Sequence, residues 1–193
     1  FHQGQLMNFL NFVILTLIQL YISVLLLRVW MQCVRADFYN PFSQFVVKIT
    51  QPVVRPLRRI IPSIGSIDTA SVILAYVLVL LEIILPSYLS GAGGAIPFSL
   101  VLPFAFIELL TAAGKIIFWM IIIRAILSWV SQGRNPIDHL LFQLTEPLMA
   151  PIRRVIPAMG GLDFSAMIVI LILYALNYLR VDVLQWLITM TLY

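Results

Sequence analysis

Residues Asn40–Asp68 read NPFSQFVVKITQPVVRPLRRIIPSIGSID, and residues Asn135–Asp163 read NPIDHLLFQLTEPLMAPIRRVIPAMGGLD. The two stretches align without a gap at a shift of 95 residues, and the register holds from residues 40–82 to residues 135–177. Identical pairs include Asn40/Asn135, Pro41/Pro136, Thr50/Thr145, Pro52/Pro147, Pro56/Pro151, Arg58/Arg153, Arg59/Arg154, Pro62/Pro157, Gly65/Gly160 and Asp68/Asp163. Upstream, Arg28 falls on Arg124 once a single residue is gapped. Proline, glycine and arginine are scarce in this chain, so their coincidence marks an internal repeat.

Each repeat is flanked by stretches long enough to cross a bilayer, which takes about 20 apolar residues. The first runs from about Phe9 to Val34, the second from Asp68 to Tyr88 and the third from Phe104 to Val130. The fourth is unbroken from Asp163 to Leu179, and a further apolar stretch follows Arg180 and Asp182 as far as Tyr193. The reading is an all-α membrane protein, with four transmembrane helices in two parallel span–amphipathic connector–span repeats. Two spans per copy send both copies into the membrane in the same direction, with a pseudo-two-fold axis along its normal. Residues 7–90 make the first copy, 91–103 an extracytoplasmic loop rich in Gly and Pro, and 104–193 the second copy. Residues 1–6, ahead of Met7, are expected to be an addition to the native chain.

Composition agrees. Of the 193 residues 62% are hydrophobic and 10% are charged, with a mean hydropathy of +1.03. A soluble fold this poor in charge would expose large apolar patches. The net charge of +4 is a topology signal with no support for nucleic-acid binding. Ten of the twelve basic residues lie in or beside the connectors: Arg28, Arg35, Lys48, Arg55, Arg58, Arg59, Arg124, Arg134, Arg153 and Arg154. The positive-inside rule then puts both connectors in the cytoplasm and both termini outside. The expected location is the bacterial inner membrane, multi-pass, N-out and C-out.

The connectors carry helical periodicity. Phe42, Phe45, Ile49, Val53, Leu57 and Ile60 form one row, and Gln44, Lys48, Gln51, Arg55 and Arg58 another. The second copy repeats this with Ile137, Leu140, Leu144, Leu148, Ile152 and Val155 against His139, Gln143, Glu146 and Arg153. Asn40 and Asn135 suit N-caps ahead of Pro41 and Pro136. Pro52, Pro56, Pro147 and Pro151 predict two short pieces bent at each Thr-x-Pro step, lying in the interface. Gly65 and Gly160 supply turns, and Asp68 and Asp163 suit caps for the following spans, with a salt bridge back to the Arg pair compatible. Arg55, Arg58, Arg59, Arg153 and Arg154 are candidates to bind anionic lipid headgroups or a cytoplasmic partner.

Charges inside the spans are sorted by depth. Arg28 and Arg124 are expected to snorkel to the cytoplasmic surface. Lys115 falls about 18 Å into its span, near the midplane, by helical rise. It is expected to cluster with Glu108 and Glu82 as a structural clamp or as part of an ion path. Thr69, Ser71, Tyr76 and Ser128 are further candidates to line such a path. His2, His139 and Cys33 are scattered, so neither a metal site nor a thiol pair is supported. Neither catalytic residues nor a cofactor are expected.

The tandem pattern from Asn40 to Asp68 and from Asn135 to Asp163 resembles the YggT family, and the resemblance covers nearly the whole chain, including the paired arrangement of proteobacterial members. Arg28-Val-Trp-Met-Gln and Asp37-Phe-Tyr-Asn-Pro also look like the proteobacterial form, whereas Ala150 in place of Arg55 departs between the copies. The resemblance implies an integral membrane protein with no assigned reaction. It implies loose links to osmotic-stress tolerance, to cell division or nucleoid organisation, and to organellar cytochrome assembly. Two functions follow as expectations. One is a non-enzymatic scaffold or assembly factor working through membrane lipids, a homo-oligomer or other membrane proteins. The other is a small solute or ion pathway formed by oligomerisation. In a Cys33→Ala background, a Gly93→Cys chain is expected to react with a membrane-impermeant thiol reagent from outside. Labelling only from the cytoplasmic side overturns the topology.

Overall fold

Each half of the chain runs long apolar helix, amphipathic helix, long apolar helix. The structure, a computed structural model, describes residues 2–89, 97–131, 134–156 and 164–193. Its helices are α1 (His2–Cys33), α2 (Pro41–Ile60), α3 (Thr69–Leu89), α4 (Phe98–Val130), α5 (Pro136–Val155) and α6 (Ser165–Leu192). Four of them contain segments long and apolar enough to cross a membrane: Asn8–Cys33, Thr69–Pro86, Phe98–Val130 and Ser165–Thr191. The connectors are α2 and α5.

Several boundaries differ from the sequence reading. Residues 2–6 continue α1 as helix. Helix α4 begins six residues before Phe104, because Phe98–Leu102 is apolar and the Pro97 carbonyl accepts from the Leu100 and Val101 amides. Pro103 therefore lies inside α4, in its second turn, where it cannot bond the Ser99 carbonyl. Residues 91–96 of the expected loop, including position 93, lie outside the described residues, as do Pro157, Gly160 and Asp163. Helix α6 runs unbroken through Arg180 and Asp182.

Each connector is one continuous helix, where two short pieces were expected. Pro52, Pro56, Pro147 and Pro151 are all exposed. The carbonyls that their missing N–H groups leave unbonded therefore lie on the outer side of each helix, where they can be hydrated. Thr50 Oγ1 also donates to the Val46 carbonyl at 2.8 Å, and Thr145 Oγ1 to the Leu141 carbonyl at 2.7 Å, holding the turn before each proline pair.

Packing repeats with the sequence. Helix α1 contacts α2 and α3, and α4 likewise contacts α5 and α6; α1 meets α4, and α2 meets α5. That is the pattern of two parallel copies about a common axis. The additional α3–α4 contact joins consecutive spans of different copies. One buried cluster centres on Ile22, Leu25, Val54, Val79 and Leu109, a second on Met31, Val46, Met120 and Leu144, and a third on Ile121, Met149 and Val169. The second cluster draws from both copies and ties the connectors to the span bundle.

Three polar bonds cross between the copies at the connector end. Trp30 Nε1 donates to the Leu144 carbonyl at 2.7 Å, the Asp37 amide to Gln143 Oε1 at 3.0 Å, and Asn40 Nδ2 to the Pro136 carbonyl at 2.8 Å. Asn40 does double duty, since its Oδ1 caps α2 by accepting from the Phe42 amide at 3.0 Å. On α5, Asn135 accepts from the Ile137 amide and Asp138 returns a bond to the Asn135 amide, closing a capping box. Asn40→Ala should cost about 1–2 kcal/mol, the worth of a lost cap plus a lost bond, read as a lower thermal midpoint in detergent. Asn40→Ser, which keeps a cap and loses the bridge, should recover about half of that loss.

Candidate functional site

The chain places an arginine where α1 leaves the apolar region, and an isolated buried guanidinium is very costly. Arg28 is 5% exposed, so it does not snorkel to the surface as expected. Two other segments, α2 and the turn that enters α3, satisfy it. Its Nε donates to Asp68 Oδ2 at 3.1 Å, and its Nη1 donates to Thr50 Oγ1 at 2.7 Å and to Gln51 Oε1 at 2.9 Å. Asp68 is fully buried and accepts a second bond from Ser71 Oγ at 2.8 Å. Arg58 Nε lies 3.8 Å from Asp68 Oδ1, the salt bridge to the Arg pair that the sequence allowed. Asp68 is delivered by a tight turn in which Ile64 and Ile67 exchange backbone bonds. Gly65 takes φ +60 there, a left-handed conformation that glycine adopts without strain.

The second copy builds the counterpart differently. Arg124 Nη1 donates to Thr145 Oγ1 at 2.6 Å and to Met149 Sδ at 3.1 Å, and its guanidinium sits 5.0 Å from the centre of the Phe142 ring. Glu146 stands where Gln51 stands in the first copy. It pairs with Arg124 at 3.5 Å and with Arg153 at 2.5 Å. Arg124 is less buried than Arg28, with 21% of its side chain exposed. Each network joins a span to the connector that follows it.

The connector α2 has three faces. Ser43, Val46, Thr50 and Val54 are buried against the bundle. The predicted apolar row is largely outward: Phe42, Phe45, Val53 and Ile60 are exposed. On a third side, a groove of about 850 Å³ is lined by residues including Lys48, Gln51, Arg55 and Arg59. The arginine candidates therefore divide. Arg55 and Arg59 line the groove; Arg58 turns to Asp68 and donates to Ser63; Arg153 pairs with Glu146; Arg154 is exposed.

The expected Glu82–Lys115–Glu108 cluster does not form. Glu82 accepts from Gln19 Nε2 at 2.6 Å, joining α1 to α3, and Glu108 pairs with Arg180 at 3.3 Å, joining α4 to α6. Lys115 lies midway along α4, is exposed, and has no hydrogen bond or ion pair with a described residue. Of the further candidates, Ser71 is used by Asp68, Tyr76 donates to the Leu102 carbonyl at 2.8 Å, and Ser128 bonds its own helix. Among the described residues no group of three or more His, Cys, Asp or Glu side chains gathers to hold a metal.

Sequence reasoning missed Arg28, Thr50, Gln51 and Glu146 as a set. A signal existed: Arg28/Arg124 and Thr50/Thr145 both recur between the copies, and paired recurrence of a charge and a hydroxyl suits a buried contact. Lys48, on the polar row of the sequence, extends the line of Arg55 and Arg59 along one helix side.

Four long apolar helices and two braced amphipathic connectors, repeated in tandem, define an all-α fold of the membrane-protein class. The CCB3/YggT family matches residues 7–89 and 103–186, one match per copy, and the chain belongs to that family. It is 54% identical over 178 residues to an uncharacterised protein from the proC 3′ region of Vibrio alginolyticus, covering 92% of this chain and 96% of the relative. It is 51% identical over 185 residues to the uncharacterised protein YggT of Escherichia coli K12, covering 93% of each. An uncharacterised Pseudomonas aeruginosa protein is 42% identical over 172 residues, covering 89% of this chain and 87% of the relative. No solved structure matches the chain.

Removing one partner of a buried ion pair costs about 3–5 kcal/mol, because the other charge is left unpaired. Asp68→Asn should therefore lower the thermal midpoint in detergent sharply. The double variant Arg28→Met/Asp68→Leu should be less destabilised than either single change. A double variant as unstable as the sum of the singles would show that the two residues do not act as a pair.

Proposed function

We propose that the protein is a non-enzymatic scaffold of the bacterial inner membrane, inserted N-out and C-out, whose two connectors make one platform on the cytoplasmic side. One observation carries this reading: α2 and α5 pack side by side and are joined by the Asn40–Pro136 and Asp37–Gln143 bonds. Both copies thereby offer a single polar surface, at the end of the bundle where ten of the twelve basic residues collect. A positively charged end suits the cytoplasmic side and its anionic leaflet. Rigid bracing of the connectors suits assembly of lipid or of other membrane proteins, and the osmotic-stress role implied by the family would run through such assembly.

A second reading, an ion or solute pathway assembled from several copies, is favoured by Lys115. An exposed charge midway along a spanning helix calls for a partner or a wet surface. Flux through proteoliposomes separates the two. As a scaffold, the reconstituted chain should leave potassium and sodium leak at the level of protein-free vesicles. A protein-dependent flux that Lys115→Met abolishes would establish the pathway and overturn the scaffold.

A further inference from the structure

The groove on α2 gathers positive charge that the fold itself does not use. Its wall includes Phe38, Gln44, Lys48, Gln51, Arg55 and Arg59. Lys48, Arg55 and Arg59 are exposed and have no hydrogen bond or ion pair with a described residue. No described residue of the wall is acidic. Like charges four residues apart on a helix repel, so an anion set between Arg55 and Arg59 would relieve their repulsion. Lys48 reaches the same groove from two turns earlier. Gln51 gives its oxygen to Arg28 at 2.9 Å, which leaves its NH2 group as a further donor.

The surroundings say what kind of anion. Phe42, Phe45 and Val53 form an exposed apolar row. At 3.6 residues per turn that row lies roughly 110° round the helix from the cationic one. A helix with those two sides lies with its apolar row among acyl chains and its cationic row at phosphate level. A ligand fitting both sides has a phosphate head and hydrocarbon tails.

The second copy lacks these features at matching positions. Gln143, Glu146, Ala150 and Arg154 replace Lys48, Gln51, Arg55 and Arg59. Two cations are gone and an acid has appeared. Gln143 is moreover engaged in accepting the Asp37 amide, so it serves the contact between copies.

We propose that the α2 groove binds the phosphate of one anionic phospholipid per chain, in the first copy alone. The proposal rests on the platform reading only for the membrane level of α2. The test is native mass spectrometry of the detergent-solubilised full chain, titrated with phosphatidylglycerol, phosphatidylcholine or glycerol-1-phosphate. The expected result is one retained phosphatidylglycerol per chain, in preference to phosphatidylcholine, and no displacement by equimolar glycerol-1-phosphate. Lys48→Gln/Arg55→Ala, which installs the second copy's residues, should weaken retention about tenfold or more, while Arg154→Ala leaves it unchanged. Both altered side chains are exposed and unbonded, so an unchanged circular dichroism spectrum and thermal midpoint are expected. Full retention by the double variant would overturn the site. So would loss on Arg154→Ala alone, which would move the contact to the general basic surface and leave the platform standing. Equal displacement by glycerol-1-phosphate would overturn the lipid assignment in favour of a soluble phosphate.

Discussion

The placement of one guanidinium governs the connector end of this molecule. Arg28 on α1 is buried, and the desolvation of its charge has to be offset by several well-placed partners. They come from two other elements: Thr50 and Gln51 from α2, and Asp68 from the entry to α3. Meeting that demand fixes how α2 is rolled about its own axis. With Thr50 turned inward, Ser43, Val46 and Val54 must also face the bundle, and the bulky apolar row and the cationic row must both face out. The groove and the exposed phenylalanines follow from satisfying a single charge.

Much of this was legible in the chain. The spans announce themselves by length and apolarity, and the repeat by the coincidence of Pro, Gly and Arg at one shift. Asn40 and Asn135 act as the caps their positions suggested. What could not be read was the third face of the connectors. An amphipathic pattern divides a helix into apolar and polar halves, and the row that packs inward on α2 is neither: it mixes Ser43 and Thr50 with two valines. The fate of Arg28 was also hidden. Snorkelling and burial differ only in whether a partner stands within reach, and Asp68 lies 40 residues away in sequence. The prolines misled for a related reason: their effect depends on whether the freed carbonyls face water or packing.

The charges within the spans show two solutions to the same lateral problem. In the first copy Gln19 and Glu82 join α1 to α3. Lys115 matches Gln19 at the register set by Arg28 and Arg124, and Asn177 matches Glu82 at the register of the connectors. There Asn177 accepts from Arg180 at 3.1 Å, Arg180 reaches Glu108, and Lys115 is left outward. The α4–α6 contact is held by a pair lying elsewhere along the helices, so grouping Lys115 with Glu82 from depth alone could not succeed.

The bond from the Asp37 amide to Gln143 has a broader consequence. Two identical chains meeting on a two-fold axis must present the same patch to each other, so a residue that serves the contact on one side serves it on both. Covalent fusion of the copies lifts that obligation. One half can use a position as a clasp while the other keeps a lysine at the same register facing outward. Duplication within one chain thus converts a symmetric pair into a body with distinguishable flanks, and a membrane neighbour can tell one flank from the other.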